Sequence, residues 1–411
     1  MGFVRNIFVV FIVFSKGIAL SQTILPETLY KDLLYLSSDS LKGRLTGSLE
    51  EQKSAEYIID RLTEIGIQPK GKEGFLHPFS YSLSSHTMHQ DTLNPIRGIA
   101  HNVVGYIDNQ AQYTVVLGAH YDHLGLGEIA SMGNKGLIHN GADDNASGVA
   151  GILSLAQYFK QNAIQEHYNF LFIFFSGEEL GLLGSKAWCD DPSISLSNIH
   201  YMINLDMIGR LDSIDKKLFI SGLGTSTVFN SLIDSLGTDL KIQKDSSGLG
   251  PSDHASFYLK NIPVLYFFTG QHLDYHKETD DMEALNIFGE QEVLQYVVQI
   301  IHTLDTKEKL TFLPTRNKSS NLQKAFKVTL GIMPDYSFEG KGVRIADVLH
   351  NRPAFHAGLQ RNDVVLSVDR FDIQNMNDYM EALSTIEKGT KTTVKIRRDQ
   401  QFLELNINFK K

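Results

Sequence analysis

The stretch that most constrains this chain is an apolar run, Asn169 to Phe175, which drives directly into Ser176-Gly177-Glu178-Glu179. Its length and its aromatic and β-branched content predict a strand buried on both faces. Two adjacent carboxylates at the end of such a strand put like charges at one spot, where desolvation and mutual repulsion both penalise them. A divalent cation compensates. One glutamate can ligate it while its neighbour stays free to move a proton. Two acids in the first turn of a helix would also suit the macrodipole, so the rest of the chain has to decide.

The surrounding pattern is that of an α/β protein. At 411 residues the chain suits two domains, or one large domain with an appendage. Ser48-Leu49-Glu50-Glu51 is a capping box, opening an amphipathic helix with Ala55, Ile58, Ile59, Leu62 and Ile65 inward and an end near Gly66. Strands are predicted over 102–107, 114–119, 169–175, 200–206, 217–221 and 263–268, and helices over 147–159, 179–189, 225–236, 251–259 and 287–304. Residues 77–97 read as a polar surface excursion, and 125–141, with five glycines, as a loop. This alternation predicts a mixed, largely parallel central sheet with helices on both faces. Ligands in such sheets sit beyond the carboxyl ends of the strands. Residues 22–306 form this unit, 307–323 read as a linker, and 324–411 as a small β-rich domain.

Arg5, the apolar residues 7–14, and Ala19 and Ser21 before residue 22 have the layout of a secretory signal peptide over 1–21. The expected location is therefore exported, periplasmic or secreted. No membrane span is expected after cleavage, because the apolar stretch is too short. The single Cys189 allows no intrachain disulfide, leaving packing and metal to supply stability. A net charge of −9 argues against nucleic acid as a partner.

Several motifs fall at predicted strand ends. His120-Tyr121-Asp122 follows one strand: the imidazole is a good zinc ligand and Asp122 can hold its tautomer. His123 reads as structural. Gly141-Ala142-Asp143-Asp144-Asn145 opens a helix, where an ordinary N-cap is the alternative to a metal ligand. Asp206 ends a buried strand, and His254 and His276 lie in late polar stretches. Each signal alone is modest. Together, two His and three carboxylates fit a two-metal site with one carboxylate shared. Two divalent cations against three carboxylates and one hydroxide sum to zero charge. A nitrogen and oxygen ligand set without thiolate suits Zn²⁺, and Co²⁺ or Mn²⁺ as substitutes.

Taken in order, these motifs, with Tyr275-His276, resemble the bacterial leucyl-aminopeptidase-type co-catalytic zinc metallopeptidases. That superfamily includes aminopeptidase Y, glutamate carboxypeptidase and glutaminyl cyclase. The resemblance covers about residues 25–306 and implies a zinc exopeptidase fold with two Zn²⁺ per chain. It assigns His120 and Asp206 to one zinc, Glu179 and His276 to the other, and Asp144 to the bridge. Glu178 matches the general base, Asp122 the acid that orients the first His, and Tyr275 an oxyanion-steadying tyrosine. Asp253 and His254 match a stretch beside the substrate pocket. The implied reaction is hydrolysis of N-terminal residues from peptides by a water activated between the metals. A single-zinc aminoacyltransferase of the glutaminyl cyclase kind and a carboxypeptidase are the alternatives.

The tail, from about 324, carries Leu330-Gly331-Ile332, then Pro353 to Val365, and an amphipathic helix over 377–386. It resembles a bacterial PDZ domain, with Asn362-Asp363 where that family has Gly-Asp. The resemblance implies capture of a peptide C-terminus by amides around Gly331. Packing over the active site is the other role open to it.

Overall fold

A computed structural model describes residues 23–83, 96–128, 130–315, 328–334, 338, 340–348, 352–374 and 376–409. The expected signal peptide lies outside them. At the centre of the fold, Asn169–Phe175 forms strand β5, buried at every position. Its side chains alternate: Phe170, Phe172 and Phe174 enter one hydrophobic core, and Leu171, Ile173 and Phe175 enter a second. A strand with two apolar faces needs a layer on each. Helices α2 (Leu49–Ile65), α3 (Gly148–Gln161) and α7 (Ile287–Leu304) contribute to the first core. Helices α4 (Leu183–Asp190) and α6 (His254–Tyr258) contribute Trp188, Cys189, Phe257 and Tyr258 to the second.

The sheet is mixed. Its middle is parallel, in the order β5, β4 (Thr114–His120), β6 (Ile199–Leu205) and β9 (Val264–Phe268). Its flanks turn antiparallel: β3 (Ile96–Ile107) runs against β5, and β7 (Lys217–Ser221) against β9. Four parallel strands thus end side by side at one rim. Helix α2 begins as expected: Ser48 Oγ accepts from Glu51 N–H at 3.0 Å. The Glu51 carboxylate reaches back to Gly47 N–H rather than to the cap residue, and Gly66 closes the helix at φ 86°.

Several expectations need correction. Part of the supposed excursion over 77–97 is strand β2 (Leu76–Leu83), paired antiparallel with the first part of β3. Its polar sequence hid the pattern, and residues 84–95 lie outside those described. The helix expected from Glu179 starts at Leu183, because Leu182 adopts φ 61° and breaks the turn. The helix expected from Thr225 starts at Phe229. The first part of the expected linker is a strap on the α/β unit. Leu310 is buried in its core, Phe312 packs on Tyr258, and Leu313 N–H donates to Thr225 O at 2.8 Å.

The tail has its own core, including Leu330, Ile345, Val365, Tyr379 and Ile396. Its antiparallel sheet runs β10 (Ile332–Pro334), β11 (Val343–Val348), β12 (Val364–Val368), β14 (Lys391–Arg398) and β15 (Gln401–Asn408). Asn362 stands at φ 70°, the left-handed conformation that Asn tolerates best after Gly. That accounts for Asn362-Asp363 at this turn. Asp363 is buried and paired with Arg398 at 2.7 Å. No helix among the described residues is long and apolar enough to cross a membrane.

Candidate active site

The rim where β4, β5 and β6 end gathers the expected residues. His120 is the last residue of β4, Glu178 and Glu179 follow β5, and Asp206 follows β6. Asp144 comes from the turn leading into α3, and His276 from the loop after β9. His120 Nε2 lies 3.3 Å from Asp144 Oδ1, 3.7 Å from Asp206 Oδ1 and 4.0 Å from Glu178 Oε2. His276 Nε2 lies 3.2 Å from Asp144 Oδ2 and 3.2 Å from Glu179 Oε2. The two oxygens of Asp144 therefore face different imidazoles.

Both rings are held in the tautomer a metal needs. His120 Nδ1 sits 3.2 Å from the Asp122 carbonyl and His276 Nδ1 3.1 Å from the Ala130 carbonyl. A carbonyl accepts only from N–H, so Nδ1 carries a proton in each ring and Nε2 is the atom turned toward the carboxylates, free to ligate a cation that displaces any proton it holds. The Asp122 carboxylate does something other than expected. It stands 3.7 Å from His120 Nδ1, while Oδ1 accepts from Glu178 N–H at 3.0 Å and Oδ2 from Thr46 Oγ1 at 2.8 Å. It positions the glutamate pair, and its own carbonyl orients the imidazole.

The electrostatics ask for cations. Burial opposes charge on His120 and His276, yet the surrounding carboxylates hold both rings well above the usual histidine range. Burial pushes the Glu178 carboxyl well above its ordinary value, with Glu179, Asp253 and Asp206 adding to the shift against His120. Among the described residues, no Lys or Arg forms an ion pair with Asp144, Glu178, Glu179 or Asp206. Two imidazoles and three carboxylates converging on one spot form a donor set that suits Zn²⁺. His120, Asp144 and Asp206 form one group of metal-ligand spacing; a second contains Asp144 and Glu179.

The second group also contains His123, which the sequence reading set aside. His123 is fully buried, with Nδ1 2.8 Å from Glu179 Oε1 and its ring edge toward His276. The signal was available: it is a second imidazole three residues from the first, at the same strand end. Arg44 and Thr46 were also missed. The Arg44 guanidinium is buried and donates to the carbonyls of Tyr121, Leu36, Asn140 and Gly141. It clamps the His120 loop to the Asp144 loop, and burial pushes its pKa down to about 10. Asn145 ties the same loop to β6: its Nδ2 donates to Leu205 O at 3.0 Å and its Oδ1 accepts from Met207 N–H at 3.2 Å.

The remaining expected residues lie nearby. The Tyr275 ring stacks on His276 with centroids 3.8 Å apart, and burial keeps its phenol protonated. Asp253 and His254 are buried behind the wall; burial pushes the Asp253 carboxyl up to about 7 and His254 down to about 3. His254 stacks on Tyr266. A cavity of about 230 Å³ opens onto His120, Asp144, Glu178 and His276, with Tyr266, Phe268 and Tyr275 among its walls.

Comparison with known proteins agrees with this geometry. Residues 102–301 match the model of peptidase family M28, and residues 316–409 that of the PDZ domain. A segment of 138 residues is 33% identical to leupeptin-inactivating enzyme 1 of Streptomyces exfoliatus, covering 33% of this chain and 30% of that protein. A segment of 182 residues is 30% identical to aminopeptidase YwaD of Bacillus subtilis, covering 41% of this chain and 39% of that protein. These matches span about a third of the relatives' lengths. The fold is also similar to a solved Zn-dependent exopeptidase from Parabacteroides distasonis. The TM-score is 0.55 at 18% identity, over 70% of this chain and all of that one. The chain carries a peptidase family M28 domain followed by a PDZ domain.

Proposed function

We propose that the protein is an exported two-zinc aminopeptidase that removes N-terminal residues from peptides. The observation that carries this reading is Asp144, whose two oxygens each face a different imidazole, as a carboxylate shared by two cations must. His120 and Asp206 would hold one ion, and Glu179 and His276 the other. Bound there, the ions supply a water of lowered pKa and polarise the scissile carbonyl.

The chain's own groups do the rest. Glu178, buried and of raised pKa, takes the water's proton and returns it to the leaving amine. Asp122 fixes the Glu178 backbone through the amide it accepts from. Tyr275, kept protonated, donates to the developing oxyanion. The surplus of carboxylate favours the cationic α-amine of a peptide N-terminus, which gives exopeptidase selectivity. Two ligand groups that share Asp144, one of them around His120 and Asp206, favour two metals over the single zinc of a cyclase-type transferase.

A panel of aminoacyl-p-nitroanilides, with and without chelator, together with metal counting, tests the reading. Chelator-sensitive release of nitroaniline by protein holding two zinc ions is expected. One metal per chain, with an N-terminal glutamine peptide cyclised instead of cleaved, would replace this reading with the transferase. Export is tested by fractionating cells and sequencing the mature N-terminus, expected near residue 22.

A further inference from the structure

The cavity over the catalytic cluster has a wall that the peptidase domain does not supply. Ile332 and Pro334 line it from β10 of the tail, together with Met207 and Phe268 of the peptidase domain. β10 is the edge strand of the tail sheet and pairs only with β11 among the described residues. It follows directly on Gly331, whose φ of 73° swings the chain into the strand. A Cβ on Gly331 would collide with the Arg352 side chain at 2.1 Å, so the strand's approach is fixed from within the tail. We propose that the tail domain is a working wall of the catalytic cavity, and that Ile332 and Pro334 select extended peptides with an apolar N-terminal side chain.

Three observations support this. Ile332 and Pro334 join Met207, Pro251 and Phe268 as the apolar members of a lining that otherwise consists of the catalytic polar groups, Gln271 and two tyrosines, so a side chain resting against them gains most if it is apolar. The cavity measures about 230 Å³, below the roughly 300–1,000 Å³ of ordinary ligand pockets, a size that suits a single terminal side chain. Ile332 is also part of the tail core, 8% exposed, so the wall is anchored in a packed domain. The substrate class rests on the peptidase reading above; the placement of the wall does not.

The test uses full-length protein throughout. Ile332→Ala should enlarge the cavity and raise kcat/KM for Phe over Ala substrates about tenfold, the scale expected when a hydrophobic pocket changes by a few methylenes. Pro334→Trp, at a half-buried position, should shift the same ratio the opposite way with zinc content unchanged. Placement is read without activity, by crosslinking Gln271→Cys to Pro334→Cys with a short bis-maleimide. Background is low because the only native thiol, Cys189, is buried. An intramolecular crosslink and opposed selectivity shifts are expected. Wild-type selectivity in both variants, or full labelling of both thiols without crosslink, would overturn the wall. Uncrosslinked wild-type protein that turns over no aminoacyl substrate, beside a double variant that does crosslink, would instead sink the peptidase reading and leave the wall in place.

Discussion

Asp143 and Asp144 are neighbours in sequence and both are buried, yet they belong to two differently built regions. The Asp143 side is answered by protein. Its Oδ1 accepts from Gly209 N–H at 2.7 Å, and its Oδ2 stands 3.2 Å from His272 Nε2. Beside it, Arg210 binds Asp274 and Asp280, each at 2.8 Å. Asp280 in turn accepts from the backbone N–H groups of both Asp143 and Asp144, each at 3.0 Å. The Asp144 side has imidazoles and carboxylates facing one another, with no Lys or Arg pairing among the described residues. One region has most of its charge answered by its own donors, with Asp143 Oδ2 and Glu290 as exceptions; the other faces its carboxylates with imidazoles alone, an arrangement suited to a cation. The role of a carboxylate is set by what answers its charge, and sequence neighbourhood does not reveal that.

The largest test of this contrast is a paired substitution. Asp144→Asn should lose both metals and reduce turnover by more than about 10⁴-fold, because it removes the shared ligand as well as the chemistry that depends on it. Asp143→Asn keeps an oxygen for Gly209 N–H and should retain both metals, with less than a tenfold loss in kcat/KM. Equal losses in the two variants, read by metal analysis and kinetics, would erase the distinction. Glu178→Gln comes next: kcat should fall on the order of 10²–10⁴ with metal content intact. Normal turnover there would remove Glu178 from the proton path.

His123 tests how far the open region extends. His123→Ala frees Glu179 Oε1 and should weaken zinc binding about 10–100-fold, the usual effect of losing a partner that orients a metal ligand. Asn can offer its amide N–H near the position of Nδ1, so His123→Asn should recover most of that affinity, whereas Gln, which mimics Nε2, should not. Chelator competition measures this without turnover. Equal affinities in all three variants would return His123 to a packing role.

Much of this was legible in the sequence, for identifiable reasons. β5 was evident because a buried strand leaves an unbroken apolar run, and its carboxylates stood out against that background. The parallel centre of the sheet followed from strands alternating with helices. Arg44 was invisible because its partners are backbone carbonyls, at Tyr121, Asn140 and Gly141, which any residue presents. β2 was lost because its residues alternate irregularly in polarity at the sheet's flank. The strap through Leu310 and Phe312 was hidden by the Lys and Thr around it, although two apolar residues sufficed to dock it. The Asp122 carboxylate was assigned to the ring it follows, while its hydrogen bonds go to Thr46 and the Glu178 amide, a choice made by loop geometry.

The smallest predicted effect lies on the closed side. Glu290, in the first turn of α7, is fully buried, and neither carboxylate oxygen has a hydrogen-bond partner among the described residues. Burial pushes its pKa well above 4.5, and the nearby charges of Asp143 and Asp32 add to the shift. A carboxyl whose folded pKa is raised contributes its stability fully below its unfolded pKa and loses it as pH rises through the folded value. Between the unfolded and the folded pKa, folding must therefore take up a proton, at up to about 1.4 kcal/mol per pH unit. Glu290→Gln is neutral at every pH and removes that slope. Denaturant unfolding should show near-equal stability at pH 5 and an advantage for the variant on the order of 1–3 kcal/mol at pH 8. Parallel curves for parent and variant would mean that a donor answers Glu290 as Gly209 answers Asp143. The closed region would then be closed completely, with the contrast to the metal side sharper still.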